Sequence, residues 1–150
     1  MSVVNTIRRL QELHAAIPGV TMAPTVYPIA INAAQCPCAV VYPGPAVWRH
    51  ETMGEERRHD RTYVVRVFVK PFNLGAGVDE ALQLVNTLLF EFGKVYTEAA
   101  HQPLDDSPQT IIRPYEEYLI DTGYNPDEPL LYMGEIYHGF EFQVGISEVD

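Results

Sequence analysis

The decapeptide RTYVVRVFVK, Arg61 to Lys70, has the period-two alternation of a β-strand. Successive side chains of a strand point to opposite faces, so Tyr63, Val65, Val67 and Val69 share one side and Thr62, Val64, Arg66 and Phe68 the other. The first set is a core face. The second is mixed, and is expected to meet a helix or a partner.

Immediately before this strand runs RHETMGEERRHDR, Arg49 to Arg61, which carries two histidines, four acids and four arginines. Val47 to Met53 is predicted to pair antiparallel with Arg61–Lys70, leaving Gly54–Asp60 as the hairpin tip. About six residues per arm at ~3.3 Å each give a reach of roughly 20 Å. Further upstream, residues 20–46 are broken by prolines 24, 28, 37, 43 and 45. One short β-like run, Cys38–Tyr42, lies among them, and Tyr42-Pro43-Gly44-Pro45 is expected to turn the chain. Val3, Val4, Ile7, Leu10, Leu13 and Ile17 fall at helical spacing, with Ser2 as N-cap and Pro18-Gly19 as the stop, which predicts a helix over about 3–16.

Downstream, a glycine-rich loop at 73–77 opens a second helix. Its stripe is Val78, Leu82, Val85, Leu89, Phe92 and Tyr96, stepping by four and three. Asp79 and Glu80 sit at its positive end and Lys94 near its negative end, as the helix dipole favours. At 1.5 Å per residue it is about 28 Å long, enough to cover a sheet. Residues 97–109 read as loop, Thr110–Asp121 as a β pattern broken by Pro114, and Thr122–Pro129 as turn chemistry. Leu130–Ile146 is the longest alternation, with Ile136, His138, Phe140, Phe142, Val144 and Ile146 on one face. The order helix, strands, helix, strands predicts an α+β fold in one domain, 1–150: a single antiparallel or mixed β-sheet, two helices packed on one face, and a protruding β-hairpin.

The chain has 150 residues, is 47% hydrophobic and 20% charged, and carries a net charge of −10. No apolar run approaches the roughly 20 residues of a membrane span, and the N-terminal segment does not read as a signal peptide. From Glu98 to Asp150 there are twelve acids against one base, Arg113, while arginines cluster at 8–9, 49 and 57–66. That acidity opposes wrapping of nucleic acid, which needs cationic neutralisation, though a negative wall can let DNA slide past. Cys36 and Cys38 flank a proline and are badly placed to bridge each other. With no second cysteine pair for zinc they are expected to be reduced, packed thiols.

Catalytic motifs are sparse. His50-Glu51 starts a zinc-hydrolase pattern, but the second histidine of H-E-x-x-H falls at Gly54. His50 and His59 across a hairpin, with Glu51 or Asp60, leave a small metal-dependent hydrolase as an outside alternative. Gly75-Ala76-Gly77 lacks the rest of a phosphate loop and is followed by two acids. Asp105-Asp106 and Glu116-Glu117 are adjacent pairs, which a strand would point apart. His138 is expected to be a hydrogen-bonded core or interface histidine. The tyrosines at 115, 118, 124, 132 and 137 fit sheet packing or a protein–protein surface equally.

Several features taken together resemble the tail terminator proteins of long-tailed bacteriophages. They are the N-terminal helix, the Tyr42-Pro43-Gly44 segment, the hairpin rising into Arg61–Val69, and the glycine-rich turn into a helix. Asp121-Thr122-Gly123-Tyr124 and Tyr132-Met133-Gly134-Glu135-Ile136-Tyr137-His138-Gly139-Phe140-Glu141-Phe142 complete them. The resemblance runs over nearly the whole chain. It implies a non-enzymatic virion protein, assembled in the host cytoplasm, with no catalytic set, metal or cofactor. It implies a homo-oligomer, a hexameric ring that caps the tail tube, stops its polymerisation and meets the head–tail connector. DNA would pass through the lumen without specific binding, and no membrane is involved. A neck or tail-completion subunit for head–tail joining is the nearest alternative. The hairpin arm, with Arg49, Glu51, Glu55, Glu56, Arg57, Arg58 and His59, is the candidate partner surface, its mixed charges suited to register and partner choice.

Overall fold

In the computed structural model the alternation at 61–70 is the middle of a longer strand. The structure describes residues 3–50, 57–72, 78–99, 110–112, 120–123 and 129–149. β1 spans Cys38–His50 and β2 spans Arg57–Pro71. They pair antiparallel from Cys38↔Phe68 to His50↔Arg57. The other side of β2 pairs antiparallel with β6, Glu135–Val149, as far as Arg58↔Val149. Three short strands follow one another along the far edge of β6: β3 (Thr110–Ile112), β4 (Ile120–Gly123) and β5 (Leu130–Tyr132). The result is one antiparallel sheet four ranks wide, with β1 at an edge.

Helices α1 (Val3–Ala15) and α2 (Val78–Ala99) pack on one face of that sheet. The core between them joins Leu10 and Ile17 to Val85, Leu88, Phe92 and Tyr96. Beneath lie Ala39 and Val41 of β1, Tyr63, Val65, Val67 and Val69 of β2, and Phe140, Phe142, Val144 and Ile146 of β6. The α+β architecture with both helices on one side thus follows the strand and helix periodicities. α2 turns slightly from its predicted stripe. Ala81 and Leu88 are buried while Leu82 is 37% exposed, because the helix rests on the Phe140 and Phe142 rings through Phe92.

Four boundaries differ from the sequence reading. Pro43-Gly44-Pro45 is not a turn: the strand passes through it with a register shift between Pro43 and Ala46. Proline lacks the ladder N–H, so it is accommodated on an edge strand at a bulge. Gly44 allows the close approach, since a Cβ there would lie 2.4 Å from the Thr62 carbonyl oxygen. Second, Arg57–Asp60 is strand and pairs with Val47–His50, so Arg61–Phe68 pairs with Cys38–Ala46 rather than with Val47–Met53; the remainder of the tip, 51–56, lies outside the described residues. Third, the strand predicted over Leu130–Ile146 is two strands joined at Met133-Gly134, with φ of 48° and 85°. Two consecutive positive φ values make a type I′ hairpin turn. Glycine is at ease there, whereas methionine in the left-handed region costs about 1–2 kcal/mol. Fourth, Ile136 consequently leaves the core and is 46% exposed, while Tyr137 turns inward.

The other face of the sheet carries a smaller cluster: Ile31, Cys38, Val40, Phe68, Tyr132 and Tyr137. Phe68 meets both tyrosine rings edge-on at 5.3 Å. Their hydroxyls hold the irregular segment that precedes β1, Tyr137 donating to the Ile31 carbonyl at 2.6 Å and Tyr132 to the Pro28 carbonyl. These tyrosines therefore pack the sheet. Tyr115, Tyr118 and Tyr124 lie outside the described residues.

Candidate functional site

The hairpin is rooted in the sheet rather than hung from it. Beyond the bulge, Ala46–His50 pair with Arg57–Arg61, while β2 remains backed by β6 to Arg58 and β6 by β3 at Thr110↔Glu148. The root is fastened by Arg61, whose Nη1 donates to the Gly44 carbonyl at 2.8 Å. Of the candidate partner residues, Arg49 stands opposite Arg58, and His59 opposite Trp48. Arg57 stands opposite His50, so the two histidines are diagonal rather than direct cross-strand neighbours. Glu51, Glu55 and Glu56 lie outside the described residues, as do the paired acids at 105–106 and 116–117 and the 73–77 loop. Among the described residues no group of three or more histidines, cysteines or acids is placed to hold a metal ion.

The titratable groups that are well placed are sealed in. His14 on α1 has its Nδ1 2.9 Å from Gln11 Oε1 and its Nε2 2.5 Å from the Tyr96 hydroxyl on α2. Gln11 Nε2 in turn donates to the Pro24 and Ala39 carbonyls, both at 2.8 Å. This network ties α1, α2, β1 and the preceding loop together, and its side chains are at most 2% exposed. Burial lowers His14 to about 3 and raises Tyr96, so both stay neutral. Without access to solvent the pair locks the helices and offers no base to a substrate. Sequence reading passed over it, because a histidine and a glutamine beside an apolar stripe read as helix surface.

The other reactive side chains behave likewise. Burial pushes the Cys36 thiol up to about 11 and Cys38, with Cys36 beside it, up to about 12. Neither is a nucleophile near neutral pH, since the thiolate is the reactive form. His138 is 2% exposed and stacked on Phe72 at 4.3 Å. Burial, then nearby Lys70, lowers its pKa. On the helix-free face Arg66 pairs with Glu141 at 2.7 Å and lies 5.5 Å above the Tyr42 ring, which stacks on Tyr27 at 5.2 Å. That cluster is internally satisfied.

Among the described residues, large exposed apolar side chains include Val26 (78%), Tyr27 (46%) and Ile29 (91%) in the segment before β1, and further groups lie on the β5–β6 hairpin and on α2. The β5–β6 hairpin presents Leu131 (58% exposed), Met133 (68%) and Ile136 (46%), with Phe72 joined to it by its N–H to the Ile136 carbonyl at 3.0 Å. The outer side of α2 presents Phe90 at 70%, beside a shallow groove of about 470 Å³ lined by Leu89, Phe90, Gly93, Lys94, Thr97 and Glu98. Contiguous exposed apolar side chains of this kind mark binding surfaces. The Met133-Gly134 dipeptide between apolar runs was the available sequence signal for the hairpin group. Phe90, off the buried stripe, was the signal for the α2 group. No helix among the described residues is long and apolar enough to cross a membrane. A scan against protein-family models and a search of curated proteins returned no match to this chain.

Proposed function

We propose that this protein is a structural subunit of the tail-terminator kind, which assembles on the end of a phage tail tube, halts its growth and presents a face to the head–tail connector. The observation that carries the reading is the β1–β2 hairpin. Its strands are 13 and 15 residues long, well beyond the usual ~5–6. Their far ends, Ala46–His50 and Arg57–Arg61, lie beyond the β1 and β2 residues of the helix-covered core, a form suited to reaching a neighbouring subunit. The sequence resemblance, order of elements and acidic balance of the chain support it, with a net charge of −10 that discourages DNA from adhering.

The hairpin arginines would provide register and selectivity more than affinity, as mixed charges at an interface do. The test uses purified tube protein polymerised with and without this protein. Shortened, uniformly capped tubes support the reading. Binding to connector rings with no effect on tube length points instead to a neck subunit. Charge reversal at Arg57 and Arg58 is expected to weaken docking while leaving thermal stability unchanged.

A further inference from the structure

We infer that Met22, Cys36 and Cys38 form a binding site for a soft monovalent metal ion of the copper(I) kind, held by two thiolates and a thioether. The site goes beyond the terminator reading, which needs no metal, and stands or falls apart from it.

Three sulfur side chains meet where the irregular segment joins β1. Met22 and Cys38 are partners in a parallel bridge, and such partners stand side by side at roughly 4.8 Å. Cys38 belongs to the small cluster on the helix-free face, and Met22 and Cys36 both pack against that cluster. Cys36 is close enough to Cys38 to add to the effect of burial in raising the Cys38 thiol. Tyr137, raised by burial first, is raised further by both cysteines, so the two thiols surround one spot. The backbone around the three residues is pinned. The Thr21 and Met22 N–H groups donate to the Pro37 carbonyl at 2.9 and 3.3 Å, and Ala39 N–H donates to the Met22 carbonyl at 2.9 Å. The Thr21 hydroxyl donates to the Cys36 carbonyl at 3.0 Å. Donors positioned in advance lose little freedom when an ion binds. Cys38 is fully buried, while Met22 and Cys36 are only partly so and open the site to the surface.

The donor set selects the metal. Thiolate and thioether sulfurs are soft ligands that suit copper(I), zinc and iron–sulfur clusters. Structural zinc takes four ligands, and the common clusters take four cysteines. Among the described residues no histidine or acid joins these cysteines to make a group of three that could hold a metal ion. Two thiols and a thioether fall short of zinc, but they satisfy a filled-shell monovalent ion that accepts two or three sulfurs. On binding, two S–H bonds break, two metal–sulfur bonds form, both protons go to solvent, and the complex carries one negative charge. The free thiols are pushed up to about 11 and about 12, so both protons are present throughout the neutral range. Affinity should therefore climb about a hundredfold per pH unit, tenfold for each proton released.

The experiment titrates the reduced protein anaerobically with the acetonitrile complex of copper(I), in competition with a chromophoric copper(I) chelator, with zinc(II) as the control ion. The expected result is a single copper(I) per chain, thiolate-to-metal charge-transfer absorption in the ultraviolet, a roughly hundredfold gain in affinity from pH 6 to pH 7, and no stoichiometric zinc. Met22→Leu, which keeps the packing and removes the thioether, should weaken copper(I) binding about tenfold or more. Cys36→Ser, at the partly exposed cysteine, should weaken it about a hundredfold or more, with an unchanged urea midpoint showing that the fold persists; Cys38→Ala should do the same if Cys36→Ser unfolds. Four results overturn the inference: no copper(I) taken from the chelator, zinc held as tightly as copper(I), binding unchanged in Met22→Leu or in the cysteine variants, or a gain of about tenfold or less per pH unit, which would mean one thiolate at most.

Discussion

Replacing His14 by leucine should flatten the acid limb of this protein's stability curve. His14 is fully buried, faced by Gln11, Tyr96 and the rings of Phe92 and Phe142 at 5.3 and 6.5 Å. Its pKa falls from 6.5 to about 3 because the charged form is denied water. Above pH 6.5 the imidazole is neutral in both folded and unfolded chains and adds no pH dependence. Below it the unfolded chain takes up a proton that the folded protein refuses, so stability is lost as pH falls towards 3. At about 1.36 kcal/mol per pH unit, the roughly 2.5 units down to pH 4 remove about 3 kcal/mol. That is a large share of the ~5–15 kcal/mol typical of a domain. Urea midpoints at pH 7 and pH 4 for parent and His14→Leu isolate the effect, because the carboxylates titrate alike in both. At pH 7 the variant should be weaker by about 1–3 kcal/mol, since Gln11 Oε1 and the Tyr96 hydroxyl lose their shared partner. At pH 4 the gap should shrink by about 3 kcal/mol or reverse. A gap constant across pH would refute the reasoning, as it would mean that His14 takes its proton in the folded state near the ordinary value.

Other perturbations test packing and backbone. Phe92→Ala should cost about 3–5 kcal/mol by denaturant titration, because the ring is 2% exposed and contacts Phe140 and Phe142; Leu89→Ala, only partly buried, should cost clearly less. Gly44→Ala places a Cβ 2.4 Å from the Thr62 carbonyl oxygen. Hydrogen exchange should then accelerate at Ala46–His50 while the Val65 and Val67 amides keep their protection; unchanged exchange at the hairpin would contradict the bulge assignment. The thiols of Cys36 and Cys38, pushed up to about 11 and 12, should alkylate at pH 8 many-fold more slowly in the folded protein than in urea, read by mass spectrometry.

Much of this fold was legible because its strongest signals are periodic. The alternation of Arg61–Lys70 and the four–three steps from Val85 to Tyr96 each bury one face, and both were read correctly. The failures are places where two or three residues decide between outcomes of similar local energy. Pro43-Gly44-Pro45 has turn composition, and only its position on the outer edge of the sheet lets it remain strand. Met133-Gly134 lacks the usual asparagine, so its turn hid inside an alternation that continues on both sides. His14 and Gln11 gained their role from Tyr96, 82 residues away from His14 along the chain, and no local pattern reports such a pairing. Of the candidate hairpin site, the strand positions of Arg49, Arg57, Arg58 and His59 could be placed by register. The apolar tip and groove became visible only once burial separated Phe90 and Met133 from the core side chains around them.

The most direct test is electron microscopy of tail tubes grown from purified tube protein in the presence of this chain. A terminator should appear as a ring seated on one end of each tube, and tube lengths should stop increasing once it is added. Tubes that keep growing with bare ends, while this protein remains unbound in solution, would contradict the proposed function.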